Sequence, residues 1–516
     1  MLLSERLPLA ASLYPDAPAL LSQGRTIHYG ELLRQAERLG HALYAEGLRS
    51  GDRLAIIGDP SPELVIAFNA GVGIGAVPLV PSPLLTVPEL KAIMEDAEPR
   101  VLIHDKRYSD TVHFAVQQLP NPCKLFATEE GAASPDLESL LARQKEPFRA
   151  AASLQSVDDV AVLIYTGGTT GRPKGVMHSH RGMAAWNQFT PAAGFGYERD
   201  RRVLVLNLSH LVGQFHLWAT MAAGGCLVFL DEYPANAHSV LEAVERDRIT
   251  VLSTVGQLLR DFTRLASVTG KDTSSLKVLG CGGSVISSAT MLNAVAQFPG
   301  TWVVNNYSQA ECGMSVCRIF PSQHLDNPGR LHSVGRPLDL AAQGEQAFQV
   351  RIIGLDGQES AVNEPGEIVV RGAQTMLGYW RQPEATSNTL QDGWIRTGDV
   401  GCLDADGYLY VLDRVKDMVI VGGSNVFCAE VEQMIVTHPA VSEAAVIGLP
   451  LHGEGESLAA CVVLHGEESL TLEQLQAWCE SSLALHKRPT RLFILDALPR
   501  TAVDKVDKKR LRQELA

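Results

Sequence analysis

A loop rich in glycine and threonine follows a short apolar run in the first half of the chain. Residues 160–164 are uncharged and apolar, which is typical of a buried strand. Residues 166–174 then contain three glycines, three threonines and a lysine. Glycine allows a tight turn and close approach to a ligand, and consecutive backbone N–H groups can surround an anion. The pattern therefore predicts a strand that ends in a loop for binding a polyphosphate.

The order of residues in this loop differs from the common P-loop, in which a lysine directly follows a glycine and opens a helix. Here Arg172 and Pro173 separate Gly171 from Lys174. Residues 165–180 instead resemble the phosphate loop of the AMP-forming adenylating enzymes, which include acyl-CoA synthetases, aryl-acid ligases, luciferase and peptide-synthetase adenylation domains. The resemblance implies that the phosphates of ATP are bound by six loop residues, namely Thr166, Gly167, Gly168, Thr169, Thr170 and Lys174.

The length of the chain, 516 residues, is too great for one compact core and predicts two or more domains. Helical apolar spacing over residues 29–47 is followed by a strand-like run at 53–57, and this alternation indicates a layered α/β fold. The resemblance implies a large multi-layer N-terminal domain of β-sheets flanked by helices, over residues 1–413. It also implies a hinge at 413–416 and a small, mobile α+β domain over residues 414–516.

The charge and cysteine content exclude several other classes of protein. The 44 basic and 58 acidic side chains give a net charge of −14, which disfavours non-specific binding of nucleic acid. The uncharged stretch 64–88 contains four prolines and three glycines, which a membrane-spanning helix would tolerate poorly. The nine cysteines form no C-x-x-C pair and are typical of reduced thiols. We therefore expect a cytoplasmic protein, monomeric or homodimeric, without a nucleic-acid partner, a signal peptide or a transmembrane segment.

A second motif lies at residues 303–311, with the sequence Val-Val-Asn-Asn-Tyr-Ser-Gln-Ala-Glu. It resembles the block in which the family carries an aromatic residue, a glycine, any residue, a threonine and a glutamate. The resemblance implies that Tyr307 stacks on adenine and that Asn306 bonds the exocyclic amine of adenine. It also implies that Glu311 and Thr170 bind Mg²⁺, a metal that prefers carboxylate and other oxygen ligands.

Three positions depart from the family pattern. Ser308, which we also assign to the nucleotide site, replaces the usual glycine, and Asp504 replaces the glycine before Lys505. Ala310 replaces a threonine whose hydroxyl contacts phosphate in the family. A lost hydrogen bond to a charged group costs about 1.5–3 kcal/mol, so we expect slower adenylation.

Other segments match the family in the expected order. The resemblance places His210 beside the carboxylate of the acid, and it places Gly282 and Gly283 in a turn where the acyl group meets adenine. Missing side chains would let a flat ligand lie on the backbone there. Asp399, in a Thr-Gly-Asp sequence, matches the carboxylate that binds both ribose hydroxyls, since two acceptor oxygens suit two neighbouring donors.

The predicted hinge and small domain carry the remaining candidate residues. The resemblance implies that Arg414 reaches the ribose or phosphate, that Lys416 is the pivot and that Gly423 lines the thiol tunnel. Lys505 would approach the carboxylate and the α-phosphate, where its charge stabilises the attack. We expect the neighbouring cations to face solvent, namely Lys508, Lys509, Arg510 and Arg512.

Together these motifs predict an ATP-dependent carboxylic acid–CoA ligase with ATP, Mg²⁺ and CoA as cofactors. The acid, fatty or aromatic, is converted to acyl-AMP with release of pyrophosphate, and the acyl group then passes to the thiol of CoA. The residues assigned to catalysis are Lys505, His210, Thr170 and Glu311. Two alternatives remain at this point: a ligase that loads the phosphopantetheine of an acyl carrier protein, and a non-catalytic nucleotide-binding relative, motivated by the three departures.

Overall fold

The computed structural model describes the chain apart from residues 133, 143–154, 167–172, 186–201, 206–207, 284–285, 320–329, 332, 338–347, 355, 452–454, 467 and 501–505. Its helices, in chain order, are α1 (Arg6–Leu13), α2 (Tyr29–Ala45), α3 (Pro62–Gly73), α4 (Val87–Ala97), α5 (Ser109–Val116), α6 (Leu137–Ala142), α7 (Leu211–Ala223), α8 (Ala237–Arg246), α9 (Gly256–Thr269), α10 (Ser288–Gln297), α11 (Pro383–Thr389), α12 (Cys428–Ile435), α13 (Leu472–Glu480) and α14 (Lys508–Leu515). Short 3₁₀ helices occupy Leu3–Glu5, Lys106–Tyr108 and Leu485–Lys487.

The strands, in chain order, are β1 (Pro18–Ser22), β2 (Arg25–His28), β3 (Arg53–Ile57), β4 (Val77–Leu79), β5 (Val101–His104), β6 (Lys124–Ala127), β7 (Val160–Thr166), β8 (Lys174–Ser179), β9 (Arg202–Val205), β10 (Cys226–Phe229), β11 (Val251–Thr254), β12 (Val278–Gly282), β13 (Trp302–Gln309), β14 (Gly313–Ile319), β15 (Arg336–Pro337), β16 (Phe348–Ile353), β17 (Gly366–Gly372), β18 (Gly378–Tyr379), β19 (Leu390–Gln391), β20 (Trp394–Leu403), β21 (Leu409–Arg414), β22 (Val419–Val421), β23 (Ser424–Val426), β24 (Val441–Pro450), β25 (Glu456–Leu464) and β26 (Arg491–Ile494).

Two large sheets with parallel centres form most of the first 380 residues. One has nine strands in the order β15-β14-β13-β12-β11-β9-β10-β1-β2, and the other has seven in the order β18-β8-β7-β4-β3-β5-β6. Strands β11, β12 and β13 are parallel neighbours, whereas β13–β14 and β7–β8 are antiparallel hairpins. Because the carboxyl ends of parallel strands meet at one edge, ligand sites of such sheets form there.

Helices α3 and α7 join the cores of the two sheets. Both are buried on nearly all sides, as expected of helices that are apolar all round. The rings of Phe68 on α3 and Trp218 on α7 lie edge to face with centroids 5.6 Å apart. Their apolar cluster also contains Ile103 from the seven-stranded sheet and Val251 from the nine-stranded sheet. The layered α/β class predicted from the sequence is therefore confirmed.

A third sheet leads into the C-terminal part of the chain. Its strands pair in the order β16-β17-β20-β19, with β21 also on β20. After β21 come the hairpin β22–β23 and the sheet β24-β25-β26. Helices α12 and α13 share an apolar cluster with this last sheet, and α14 packs on it through Leu511. This segment thus has apolar clusters of its own and the α+β character expected of the small domain.

The cations near the C-terminus are not all exposed to solvent, which corrects one expectation. Lys508 Nζ lies 2.7 Å from Glu432 Oε1 in a largely buried ion pair, and Arg512 pairs with Asp417 at 2.9 Å. Burial raises the pKa of Glu432, and the charge of Lys508 opposes this rise. Helix α14 is therefore tied both to α12 and to the segment that follows β21.

The uncharged stretch that could have been mistaken for a membrane span forms α3 and β4 instead, as the prolines and glycines indicated. Within the described ranges, no helix is both long and apolar enough to cross a bilayer. All nine cysteines are free thiols, in agreement with the prediction from their spacing.

Candidate active site

The two ends of the predicted phosphate loop are joined by the antiparallel strands β7 and β8. Thr166 pairs with Lys174 across this hairpin. On the preceding residue of β7, the Tyr165 hydroxyl donates to Asp96 Oδ2 at 2.6 Å. A Cβ atom at Gly175 would lie 2.9 Å from the Tyr165 ring, so this position has no room for a side chain. The hairpin therefore places Thr166 and Lys174 side by side on a well-anchored base.

Lys174 and Glu311 both contact Tyr379, a residue for which the sequence predicted no role. Lys174 Nζ lies 4.7 Å from the centroid of the Tyr379 ring, and the Tyr379 hydroxyl donates to Glu311 Oε1 at 2.9 Å. The Met376 N–H also donates to the Glu311 carbonyl oxygen at 2.9 Å. The predicted phosphate cation and the predicted metal ligand are thus brought together around one aromatic ring.

Asp399 lies at the centre of a second polar group. Its Oδ2 accepts from the Tyr307 hydroxyl at 2.8 Å and from Gln309 Nε2 at 2.7 Å, and its Oδ1 lies 3.2 Å from Arg414 Nε. Burial, then the charge of Asp399, raises the pKa of Tyr307 well above its ordinary value, so its hydroxyl remains a donor. A carboxylate offers about four acceptor sites. The three protein donors together with two ribose hydroxyls would exceed this number. Chelation of the ribose would therefore require one protein donor to leave, and Arg414 is best able to move because it is exposed.

The side chain of Asn306 has a fixed orientation. Arg318 Nε donates to its oxygen at 2.7 Å, and the Ser315 hydroxyl contacts the same oxygen at 3.4 Å. The atom that faces Arg318 must be the oxygen because a guanidinium only donates. Asn306 Nδ2 points to the Cys281 carbonyl at 3.4 Å. The oxygen assigned to the adenine amine is therefore already engaged, and Asn306 would have to release one partner to bind that amine.

The two glycines of the predicted adenine turn are required for different reasons. A Cβ atom at Gly282 would lie 2.8 Å from the carbonyl oxygen of Asn306 on the neighbouring strand, so packing within the sheet alone excludes a side chain. At Gly283 φ is 78°, and a Cβ atom would meet nothing closer than 3.9 Å. Of these two glycines, only Gly283 thus borders open space.

His210 is half-buried and occupies the N-cap position of α7, with extended backbone angles. This places it at the start of a buried helix, where a side chain can face the space before the helix. Its predicted contact with the acid stays a prediction. Ser308 is half-buried within β13.

The predicted hinge residues lie on and after β21. Asp399 and Arg414 pair across β20 and β21, and Lys416 is exposed two residues further on. Gly422 and Gly423 join β22 to β23 with φ of 56° and 84°. Positive φ at both central residues is typical of the type I′ hairpin turn, so the hairpin itself explains these glycines. The role of Gly423 beside a thiol stays a prediction.

A buried histidine supports the backbone just before Glu311. His178 on β8 is fully buried, and its Nε2 lies 2.8 Å from the carbonyl oxygen of Ala310. Because a carbonyl only accepts, Nε2 carries a proton. Burial lowers the pKa of His178 from 6.5 to about 4, so the imidazole is neutral at physiological pH.

We expect the free energy of unfolding to fall between pH 6.5 and pH 4 because of His178. The folded pKa is depressed, so in this window the unfolded chain binds a proton that the folded chain does not. The lowering of the pKa is equivalent to about 3 kcal/mol of stability lost by pH 4. Urea unfolding at pH 7 and pH 4 measures this loss. The variant His178→Gln keeps an N–H donor but cannot be protonated, so the stability that it loses between the two pH values should be smaller than the wild-type loss by about 3 kcal/mol. Equal losses in both proteins would contradict the assignment.

The residues present fit a magnesium ion that is bound together with ATP. Glu311 offers carboxylate oxygen, the kind of ligand that Mg²⁺ prefers, and nucleotide phosphates normally complete its shell with water. Within the described residues there is no group of three histidine, cysteine or acidic side chains that could hold a metal without such help. Among the described residues, Glu311 is therefore the one predicted to bind the ion, and Thr170, the other predicted ligand, lies outside them.

Five predicted site residues lie outside the described part of the chain, namely Gly167, Gly168, Thr169, Thr170 and Lys505. The described residues form two groups: Lys174 and Glu311, predicted to bind the phosphates and the metal, and Asp399, predicted to bind the ribose. Strand β13 links the two groups, because Tyr307 contacts Asp399 and Glu311 follows the strand by two residues.

Comparison with known proteins places the chain among relatives of similar length. The model for AMP-binding enzymes matches residues 8–380, and the model for the AMP-binding enzyme C-terminal domain matches residues 430–505. Feruloyl-CoA synthase from an Amycolatopsis species is 33% identical over 506 residues, which cover 98% of this chain and 97% of the relative. Fatty acid–[acyl-carrier-protein] ligase ScoC from Streptomyces coeruleorubidus is 30% identical over 96% of this chain and 93% of its own length.

Among solved structures, the fold is similar to that of o-succinylbenzoate CoA synthetase from Bacillus subtilis, in complex with ATP and a magnesium ion. The TM-score is 0.83 at 28% identity, and the match covers 99% of this chain and 98% of the other.

Proposed function

Because this chain belongs to the AMP-binding enzyme family, the AMP-forming adenylating enzymes, we propose that it is a carboxylic acid–CoA ligase. As an AMP-forming acid–thiol ligase it activates an acid with ATP and passes the acyl group to a thiol. The observation that supports this most directly is the arrangement along β13. Tyr307 and Gln309 contact the ribose-binding candidate Asp399, while Glu311 lies beside Tyr379, whose ring packs against Lys174.

In the first half-reaction a carboxylate oxygen of the acid attacks the α-phosphorus of ATP. The bond from that phosphorus to the bridging oxygen breaks, and pyrophosphate leaves with the bonding electrons. Lys174 and the loop after Thr166 hold the departing phosphates, and Lys505 stabilises charge at the α-phosphate. Mg²⁺, when bound through Glu311 and Thr170, neutralises charge on the phosphate oxygens. Asp399 fixes the ribose, which keeps the α-phosphorus in place.

In the second half-reaction the sulfur of CoA attacks the acyl carbon of acyl-AMP. The thiol loses its proton, the carbon–oxygen bond to the phosphate breaks, and AMP leaves with the electrons of that bond. Between the two steps, the small domain rotates about Lys416. This rotation withdraws Lys505 from the nucleotide and brings Gly423 close to the thiol. Such a change lets one site supply different groups at different times.

A carrier-protein thiol is the second candidate acceptor. The observation that favours it is the 30% identity, over nearly the whole chain, to a relative named as a fatty acid–[acyl-carrier-protein] ligase. The chemistry of the first half-reaction would be the same, because phosphopantetheine carries the same thiol as CoA. The nature of the acid, fatty or aromatic, remains part of the proposal.

We expect acid-dependent exchange of pyrophosphate into ATP with at least one member of a panel of aliphatic and aromatic acids. The active acid is then given with either free CoA or a phosphopantetheinylated carrier protein, and thioester formation is measured at equal thiol concentration. Faster thioester formation with CoA supports the proposal, and faster formation with the carrier supports the second candidate. No exchange with any acid, from a protein that still binds ATP, would favour a non-catalytic nucleotide-binding relative.

A further inference from the structure

We propose that Tyr379 is a positioning residue that holds the Glu311 carboxylate and the Lys174 ammonium at a fixed separation for Mg·ATP. The inference rests on the proposed function, because it assumes that this end of the site receives the phosphates. It goes beyond that function by assigning the geometry of the metal ligand to a tyrosine outside the loop and outside the β13 motif.

The backbone places the Tyr379 ring next to Lys174. Strand β18 pairs antiparallel with β8, so that Tyr379 lies opposite Val176, two residues after Lys174. On the neighbouring residue, the Trp380 N–H donates to the Gly175 carbonyl at 2.7 Å. The Tyr379 backbone N–H also donates to the Thr386 hydroxyl at 2.9 Å. These bonds fix the strand against the base of the phosphate loop.

The hydroxyl of Tyr379 determines the orientation of Glu311. It donates to Glu311 Oε1 at 2.9 Å, and the Tyr379 side chain is only 5% exposed. A tyrosine hydroxyl is protonated at neutral pH, and a carboxylate only accepts, so the hydroxyl donates in this bond. Since the bond uses one lone pair of one carboxylate oxygen, Oε2 and the rest of Oε1 remain able to bind a cation.

The face of the same ring holds Lys174. The ammonium lies 4.7 Å from the ring centroid, within the range of an attractive cation–π contact. Among the described residues, Lys174 and Glu311 each contact Tyr379, and no ion pair joins the two directly. A direct pair would neutralise both charges, whereas contacts with different parts of Tyr379 leave the cation for phosphate oxygens and the carboxylate for the metal.

The variant Tyr379→Phe removes the hydroxyl and keeps the ring, and Tyr379→Leu removes both. Binding of α,β-methylene-ATP is measured by calorimetry with and without Mg²⁺, and bound Mn²⁺ is measured by electron paramagnetic resonance. For Tyr379→Phe we expect the metal to bind the nucleotide complex about tenfold more weakly, with nucleotide affinity unchanged in the absence of metal. For Tyr379→Leu we expect weaker nucleotide binding without metal as well, because Lys174 loses its support.

The matched control is Tyr410→Phe. Tyr410, on β21, also donates its hydroxyl to a carboxylate, Asp404 Oδ2, at 3.2 Å. In this variant we expect the metal to bind the nucleotide complex as tightly as in the wild-type protein. The change in its melting temperature shows how much stability is lost when a tyrosine hydroxyl that donates to a carboxylate is removed.

Wild-type metal dependence in Tyr379→Phe, or equal loss of affinity with and without metal, would overturn the inference. Because the assay measures binding, its result is distinct from that of the proposed function. A wild-type protein that binds the metal–nucleotide complex but activates no acid would contradict the proposed function alone. A wild-type protein that does not bind the nucleotide would overturn both.

Discussion

Replacing Lys505 by alanine is expected to slow acyl-adenylate formation about 100- to 1,000-fold, the usual effect of losing a group that stabilises transition-state charge. Lys505 lies outside the described residues, but both ends of its segment are fixed. Arg500 pairs with Val506, and the Asp507 N–H donates to the Pro499 carbonyl at 2.7 Å.

The assay for Lys505→Ala is pyrophosphate exchange with the best acid of the panel. Thioester formation from preformed acyl-AMP and CoA should remain near the wild-type rate, because Lys505 is assigned to the first half-reaction only. Lys509→Ala serves as the control, since Lys509 is an exposed cation four residues away. Full exchange activity in Lys505→Ala would show that the catalytic assignment is wrong.

Replacing Asp399 by asparagine is expected to raise the KM for ATP by about 10- to 100-fold, since a hydrogen bond to a charged group contributes about 1.5–3 kcal/mol. The change removes the charge that faces Arg414 and leaves one acceptor oxygen for the donors Tyr307 and Gln309. We also expect the variant to lose the discrimination between ATP and 2′-deoxy-ATP that the wild-type protein should show.

The loss of discrimination separates a contact with ribose from general damage to the fold. Asp392→Asn is the control, because Asp392 is an exposed residue with φ of 50°, a conformation that asparagine also tolerates. If Asp399→Asn raised KM equally for both nucleotides and the wild-type protein did not discriminate between them, the ribose assignment would be wrong.

The class of the fold was predictable from the sequence because it depends on local patterns. Apolar runs and helical spacing indicated the α/β layers, and the prolines and glycines of residues 64–88 indicated that this stretch does not form a membrane-spanning helix. The candidate residues at Glu311 and Asp399 were also identifiable, because each belongs to a short contiguous motif. Their roles remain predictions that the variants above test.

The supporting residues were not predictable because they join distant parts of the chain. Tyr379 and Glu311 are 68 residues apart, and His178 and Ala310 are 132 residues apart. Neither contact leaves a signal in a single sequence, since pairing of β18 with β8 decides which tyrosine meets which carboxylate. Arg318 is similar: only the β13–β14 hairpin, which pairs it with Asn306, explains why an arginine is buried there.

The ion pairs of α14 have a consequence for the order of events in the catalytic cycle. Lys508 and Arg512 connect this helix to α12 and to the segment just after β21, and Lys505 precedes the first residue of α14 by three positions in the sequence. The turn at Gly423 is attached to the same small domain. Under the proposed function, Lys505 and Gly423 act from the same small domain, so a rotation that brings one of them toward the nucleotide withdraws the other. The proposal therefore requires the acid to be converted to acyl-AMP before the thiol reaches it.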